Sequence, residues 1–216
     1  MKKLLGFMCA VMMVLGIVGS AGAVLISGIG DPLNDAALTG GTQIDFEDQI
    51  LGSYTTLTIG DVTFTANDND FQIDNTWQSY NQQGIYLDNG TYNDNGFGSL
   101  TMSFTGSTNA FGFTWGMAEP FATWVLTAYN AANTVLDTQN LPSTGSSSSG
   151  EYYGIAADGT SYATLSWSGS YDWIAIDNFT YTSSSEPVPE PSTILLMGTG
   201  LLGIIGFGRK RFNKKA

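Results

Sequence analysis

Leu100-Thr101-Met102-Ser103-Phe104-Thr105-Gly106-Ser107-Thr108-Asn109-Ala110-Phe111-Gly112-Phe113-Thr114-Trp115 decides the class of fold. Apolar side chains fall on Leu100, Met102 and Phe104, then on Phe111, Phe113 and Trp115, with small or hydroxylated residues between them. A period of two sends alternate side chains to opposite faces of a strand, so one face is built for a core and the other for water. Gly106-Ser107-Thr108-Asn109 stands between the two apolar runs. The alternation continues upstream at Ile44/Phe46, Leu57/Ile59, Val62/Phe64 and Ile85/Leu87, and downstream at Val125/Thr127/Tyr129 and Ala163/Leu165/Trp167. Clusters of Gly, Asn, Asp and Ser interrupt it roughly every ten residues, the pattern of an all-β sandwich or jelly roll. One such domain is expected over residues 24–182. No segment there sustains a 3.6-residue period, so helix should be scarce, and Asn130 to Leu136 reads as a hairpin turn.

The charges are segregated. Of 216 residues, 19 are acidic and seven basic, with no His and one Cys. All the bases lie at the ends: Lys2, Lys3, Arg209, Lys210, Arg211, Lys214 and Lys215. Every acid lies between Asp31 and Glu190, so residues 24–191 carry a formal charge of −19. That region cannot assemble a Ser-His-Asp or Cys-His catalytic unit, a lysine Schiff base, or a His or Cys zinc site. It should also repel nucleic acid and phosphate, whose recognition relies on Lys and Arg. Carboxylate, amide, hydroxyl and aromatic chemistry remains.

The ends read as addresses. Lys2-Lys3, an apolar run from Leu4 to Val18 and Ser20-Ala21-Gly22-Ala23 follow the order of a secretory signal, residues 1–23. Cys9 lies inside that run and should leave with it, so the mature chain has no disulfide. At the other end stand a Ser/Pro/Glu linker (183–191), an apolar stretch (192–208) expected to form a transmembrane helix, and a basic tail (209–216) expected in the cytoplasm. Val188-Pro189-Glu190-Pro191-Ser192, the apolar stretch and Arg209-Lys210-Arg211 together resemble the PEP-CTERM sorting signal of Gram-negative bacteria. The resemblance implies recognition by an exosortase through Pro189, Glu190 and Pro191, with cleavage nearby. It also implies an exported, inner-membrane-anchored precursor and a final place at the cell surface or in an exopolysaccharide or biofilm matrix.

In Tyr171-Asp172-Trp173-Ile174-Ala175-Ile176-Asp177-Asn178-Phe179-Thr180-Tyr181 the apolar phase passes from Ile174 and Ile176 to Phe179 and Tyr181. A phase switch at Asp177-Asn178 predicts a bulge with a carboxylate turned toward something polar. Gln43-Ile44-Asp45-Phe46-Glu47-Asp48, read as the first mature strand, has the same character. The pair resembles galactose-binding-like jelly rolls, which implies first and last strands running close together with a structural calcium between them. Calcium takes oxygen ligands, which this domain offers in excess. Asp45, Glu47 and Asp177 are the leading candidates, with Asp48 and Asn178 next. Asn67 to Asp70 and Asp88 to Gly96 lack EF-hand spacing and read as turns.

Trp77, Tyr80, Tyr86, Tyr92, Trp115 and Trp124 are candidate sugar-stacking aromatics, although most aromatics of a sandwich belong to its core. Of five glutamates, nothing marks a pair for glycoside hydrolysis. Thr56-Leu57-Thr58 and Thr63-Phe64-Thr65 read as ordinary exposed strand threonines rather than an ice-binding face. Ser143 to Gly150 reads as a flexible loop. The expected function is a non-enzymatic surface or matrix protein associated with exopolysaccharide. A calcium-dependent carbohydrate-binding module is the alternative, and a glycoside hydrolase a weaker one.

Overall fold

The computed structural model describes residues 23–67, 70–75, 84–88, 97–145, 150–169 and 172–183. The expected signal (1–22 of it), the linker beyond Ser183, the apolar stretch and the basic tail lie outside them. Among the described residues twelve strands follow in chain order: β1 (Val24–Ile29), β2 (Thr42–Ile44), β3 (Gly52–Tyr54), β4 (Thr56–Ile59), β5 (Val62–Ala66), β6 (Phe71–Asp74), β7 (Gly84–Asp88), β8 (Phe97–Gly116), β9 (Ala122–Tyr129), β10 (Val135–Leu141), β11 (Glu151–Gly169) and β12 (Trp173–Ser183). Helix among the described residues is confined to one 3-10 turn, Pro32–Asn34, where Leu33 N–H donates to the Asp31 carboxylate at 2.9 Å. The all-β expectation holds.

Two strands run much longer than the turn signals predict. Gly106 to Asn109 is a bend inside β8, so the two apolar runs quoted first lie on one 20-residue strand. Its antiparallel partner β11 spans 19 residues and bends at the same level. There the register shifts between Thr160 and Tyr162, and Gly106 and Gly159 hold φ of 94° and 79°. Left-handed backbone is what glycine supplies without a Cβ clash, so the cluster bends the ladder rather than ending it.

The bend divides one continuous antiparallel sheet into two layers. The first half of β8 and the second half of β11 pair with each other, flanked by β5 and β4 on one side and by β9 and β10 on the other. The remaining halves pair with each other between β1 and β12, and β12 leads on to β7, β6 and β3. The inner faces meet in an aromatic core. Phe64 of the first layer packs edge-on against Phe179 of the second at 5.2 Å, and Trp124 against Trp115 at 5.7 Å. Both layers bury the alternate residues that the sequence marked, except on β9. There Trp124, Leu126 and Ala128 face the core and the expected Val125, Thr127 and Tyr129 take the outer phase, because two adjacent apolar runs overlap and only pairing with β11 fixes which one turns inward.

Two further readings are settled here. The turn after β9 is a hairpin built on Asn130, whose Oδ1 accepts from Ala132 and Thr134 N–H at 3.0 and 2.9 Å. The segment at 43–48 is not the first mature strand: β1 precedes it, pairs with β11, and buries Ile26 with Leu38, Ala110 and Tyr152 outside the main core. The sequence pattern conceals this, because Val24 to Ile29 follows directly on the apolar N-terminal residues.

Candidate functional site

One edge of β12 changes partner partway along. Trp173 to Ile176 pair with β7, and Phe179 to Tyr181 pair with β2. On the opposite edge the register with β8 slips between Asp177 and Thr180. Asp177-Asn178 therefore sits at a seam, and the predicted bulge is present. Asn178 adopts φ 49°, a left-handed conformation that Asn tolerates better than most residues. Its N–H donates to Asp177 Oδ1 at 2.6 Å, and Thr180 Oγ1 donates to its carbonyl at 3.0 Å. The phase switch has a mechanical origin: Ile176 and Phe179 both point into the core, and two residues between them cannot fit a flat ladder.

The other candidates follow β2. Phe46 holds φ 60° although bulky, and is 1% exposed. Its ring packs against Phe64 at 5.6 Å, so core packing holds the backbone in that unfavourable region. Asp45 and Glu47 flank it, with Glu47 N–H donating to Asp45 Oδ1 at 3.3 Å. Both lie near enough to Asp177 to act on its charge. Burial pushes the Asp177 carboxyl up to about 7; the Asn178 N–H opposes this, and the Glu47 and Asp45 carboxylates add to it. The three predicted carboxylates are brought into one electrostatic neighbourhood. No group of three or more acidic side chains among the described residues stands together as a metal cage. An ion here would need carbonyl, amide or water oxygens beside the carboxylates.

Asp177 also borders a small cavity of about 20 Å³ lined by Gly84, Tyr86, Thr114, Gly116, Ala175 and Ile176. That volume suits one water-sized occupant. The space exists because glycine and alanine occupy positions where larger side chains would close it; a Cβ on Gly84 would meet the Ile176 carbonyl oxygen at 2.7 Å. Tyr86 is pushed up to about 12, first by burial and then by Asp74 and Asp177. Asp74, at the end of β6, and Asp177 thus share Tyr86 as a neighbour. Sequence reasoning missed Asp74 because only the register of β6 on β7, Asp74 opposite Gly84, brings it there.

A second buried carboxylate has a different job. Asp172 is 1% exposed and accepts from Trp124 Nε1 at 2.6 Å, Trp173 N at 2.9 Å and Glu119 N at 3.1 Å. It fastens the loop after β8 and the start of β12 to the core tryptophan of β9. Burial raises its carboxyl, opposed by those hydrogen bonds.

The aromatic candidates divide. Trp115 and Trp124 are 0% and 1% exposed and belong to the core, so they are not sugar platforms. Tyr86 is partly buried at the cavity, while Trp77, Tyr80 and Tyr92 lie outside the described residues. Asn67 clasps Ser99 Oγ at 2.7 Å and Thr101 Oγ1 at 3.1 Å through its side-chain amide, as a turn-anchoring residue does. Residues 68–69, 89–96 and 146–149, from the acidic turns and the serine loop, are likewise outside, as are Pro189, Glu190 and Pro191.

Comparison with known proteins bears mainly on the C-terminus. No curated protein sequence matches the chain. Among solved structures, the chain is similar to the enzymatically active domain of tailspike protein 4 of bacteriophage CBA120 at 16% identity and TM-score 0.35, over 64% of this chain and 20% of that one. It is similar to TmCBM61 in complex with beta-1,4-galactotriose at 11% identity and TM-score 0.31, over 57% and 88%. It is also similar to a cleaved adhesin domain of Lys-gingipain from Porphyromonas gingivalis at 13% identity and TM-score 0.35, over 75% and 99%. These are distant likenesses. Residues 187–211 match the model of the PEP-CTERM protein-sorting motif, the segment in which Pro189, Glu190 and Pro191 had been singled out. The chain is thus an all-β domain that carries a PEP-CTERM sorting signal at its C-terminal end.

Proposed function

We propose that this protein is exported through its N-terminal signal, held by its C-terminal apolar stretch, and processed by an exosortase near Pro189-Glu190-Pro191. It then acts outside the cell as a non-enzymatic, polysaccharide-associated surface or matrix protein. The observation that carries this reading is the sorting motif at 187–211 on a domain without a single cation. A base-free acidic domain is poorly suited to phosphate or nucleic-acid chemistry and well suited to an open, hydrated setting. Intact-mass measurement of the protein recovered from the cell surface tests it. A mature form lacking the apolar stretch and basic tail is expected, and retention of residues 192–216 would reject processing.

The seam at Asp177 supports a second reading, a calcium-dependent carbohydrate-binding module. A buried carboxylate with two acidic neighbours and no cation among the described residues costs free energy that a divalent ion would offset. Asp177 with Asp45 or Glu47 would hold the ion, which would tie the bulge of β12 to the end of β2. A calcium titration monitored by thermal melting is the test, since a ligand of the native state raises Tm by mass action. An unchanged Tm would remove these residues as a calcium set.

A further inference from the structure

Register across the first layer assembles a surface that no single strand discloses. Thr56 lies opposite Thr65, Thr65 opposite Thr101, Thr101 opposite Thr164, Thr164 opposite Thr127, and Thr127 opposite Thr138. Six threonines on six adjacent strands therefore form one row across the sheet. At about 4.8 Å between strands the row spans roughly 24 Å. Thr58, Thr63 and Ser103 begin a parallel row two residues along, about 6.7 Å away. Their alternate neighbours Leu57, Phe64, Met102, Leu165 and Leu126 belong to or pack against the core, so the threonines stand on the outer face.

Threonine is common on outer strands because β-branching suits a pleated sheet. Two observations set this face apart from that background. The hydroxyls are coupled across strands: Thr58 and Thr63 Oγ1 are 2.9 Å apart, Thr138 Oγ1 donates to Thr127 Oγ1 at 3.4 Å, and Asn67 Nδ2 donates to Thr101 Oγ1 at 3.1 Å. The outer-phase positions around the threonines are uncharged as well, namely Ser99, Ser103, Tyr162, Ser166, Val125 and Tyr129, although every ionic side chain of the domain is acidic. The face is thus a neutral patch on a strongly anionic body. Thr127 is its most covered member at 7% exposed, while Thr56, Thr58 and Thr138 are open to solvent.

We infer that this outer face binds an extended, neutral polysaccharide chain running across the strands. A threonine hydroxyl that bonds one neighbour retains further donor or acceptor capacity, and its methyl offers the apolar contact that a sugar C–H face needs. Neutrality follows from charge: an anionic glycan would be repelled by the surrounding carboxylates, whereas the patch itself neither repels nor attracts. An extended polymer fits the shape better than a planar crystal surface. Adjacent strands rotate by about 20–25°, so a six-strand row turns through roughly 100°, which a flexible chain follows and an ice plane does not. The inference rests on the polysaccharide-associated reading above and gives it a location remote in sequence from the Asp177 seam.

Native affinity electrophoresis of the full-length protein tests it, in gels containing neutral glucans, galactans or mannans, with alginate as the polyanion. Retardation is expected with at least one neutral polymer and not with alginate. The double variant Thr101→Val, Thr164→Val keeps shape and β-propensity while removing two central hydroxyls, and should weaken binding about tenfold with little change in Tm. If a neutral polymer retards both proteins equally, the face is wrong while the polysaccharide reading stands. Failure of every neutral polymer overturns both. Inhibition of ice recrystallisation without glycan retardation would assign the array to ice and overturn the inference as well.

Discussion

Asp177 illustrates how a single residue can record the cost of its position. Its carboxyl is raised to about 7, mainly by burial, so the native state keeps a proton that the unfolded chain releases near its ordinary value of 3.8. The sign of the linkage follows. Between about pH 4 and pH 7 the native state binds more protons, so Asp177's contribution is full below that window and is lost as pH rises through it. Asp177→Asn should flatten the pH dependence of Tm across that window and stabilise the apo protein at pH 8, by up to about 4 kcal/mol. Calcium should raise Tm of the wild type at pH 8 more than that of the variant; equal shifts would place any ion elsewhere. Removing Asp172 should instead destabilise the fold. Asp172→Ala strands the Trp124, Trp173 and Glu119 N–H groups and should cost about 3 kcal/mol, read as a lower urea midpoint. Phe46 joins core to site, since its left-handed backbone is held by its buried ring. Phe46→Ala should cost about 3–5 kcal/mol and abolish any calcium-induced shift, because Asp45 and Glu47 would lose their common anchor.

Among the elements, the long strands β8 and β11 determine the architecture. They cross from one layer to the other together, and the glycines Gly106 and Gly159 lie where they bend. Close approach matters as much as bending. A Cβ on Gly154 of β11 would lie 2.1 Å from the Phe111 carbonyl oxygen and 2.5 Å from Gly112 Cα of β8, both backbone atoms with little freedom to yield. Gly154→Ala should therefore destabilise the domain by more than about 2 kcal/mol, well beyond the ordinary cost of a strand substitution. Gly106→Ala should cost about 1–2 kcal/mol, since a Cβ there meets nothing within 4 Å and only the left-handed backbone resists it. Urea titrations of the two variants separate packing from backbone strain; equal losses would contradict the distinction. The β9–β10 hairpin was legible beforehand because Asn130 supplies its own turn bonds. The β8 bend was not, because a Gly-Ser-Thr-Asn cluster looks the same whether a ladder ends there or continues.

At the scale of the whole molecule, charge and address belong together. The domain's carboxylates have no partner base between residues 24 and 191, so its stability rests on the aromatic core that joins the two layers. Replacing Pro189-Glu190-Pro191 by alanines should leave the melting of the domain unchanged while blocking its processing, read by intact mass as retention of the C-terminal residues. Loss of folding in that variant would mean that the motif serves the fold rather than the address. Composition, period-two alternation and the C-terminal Pro-Glu-Pro pattern were enough to determine an all-β acidic domain, the β12 bulge and the sorting motif, because each is a local pattern legible within a short stretch of chain. The approach of Asp45 and Glu47 to Asp177, the burial of Trp115 and Trp124, and the six-strand threonine row were decided only by tertiary structure. Each depends on register between strands, in the β12–β2 pair as much as 139 residues apart (Tyr181 opposite Thr42), and a shift of one residue turns a strand's side chains to the other face.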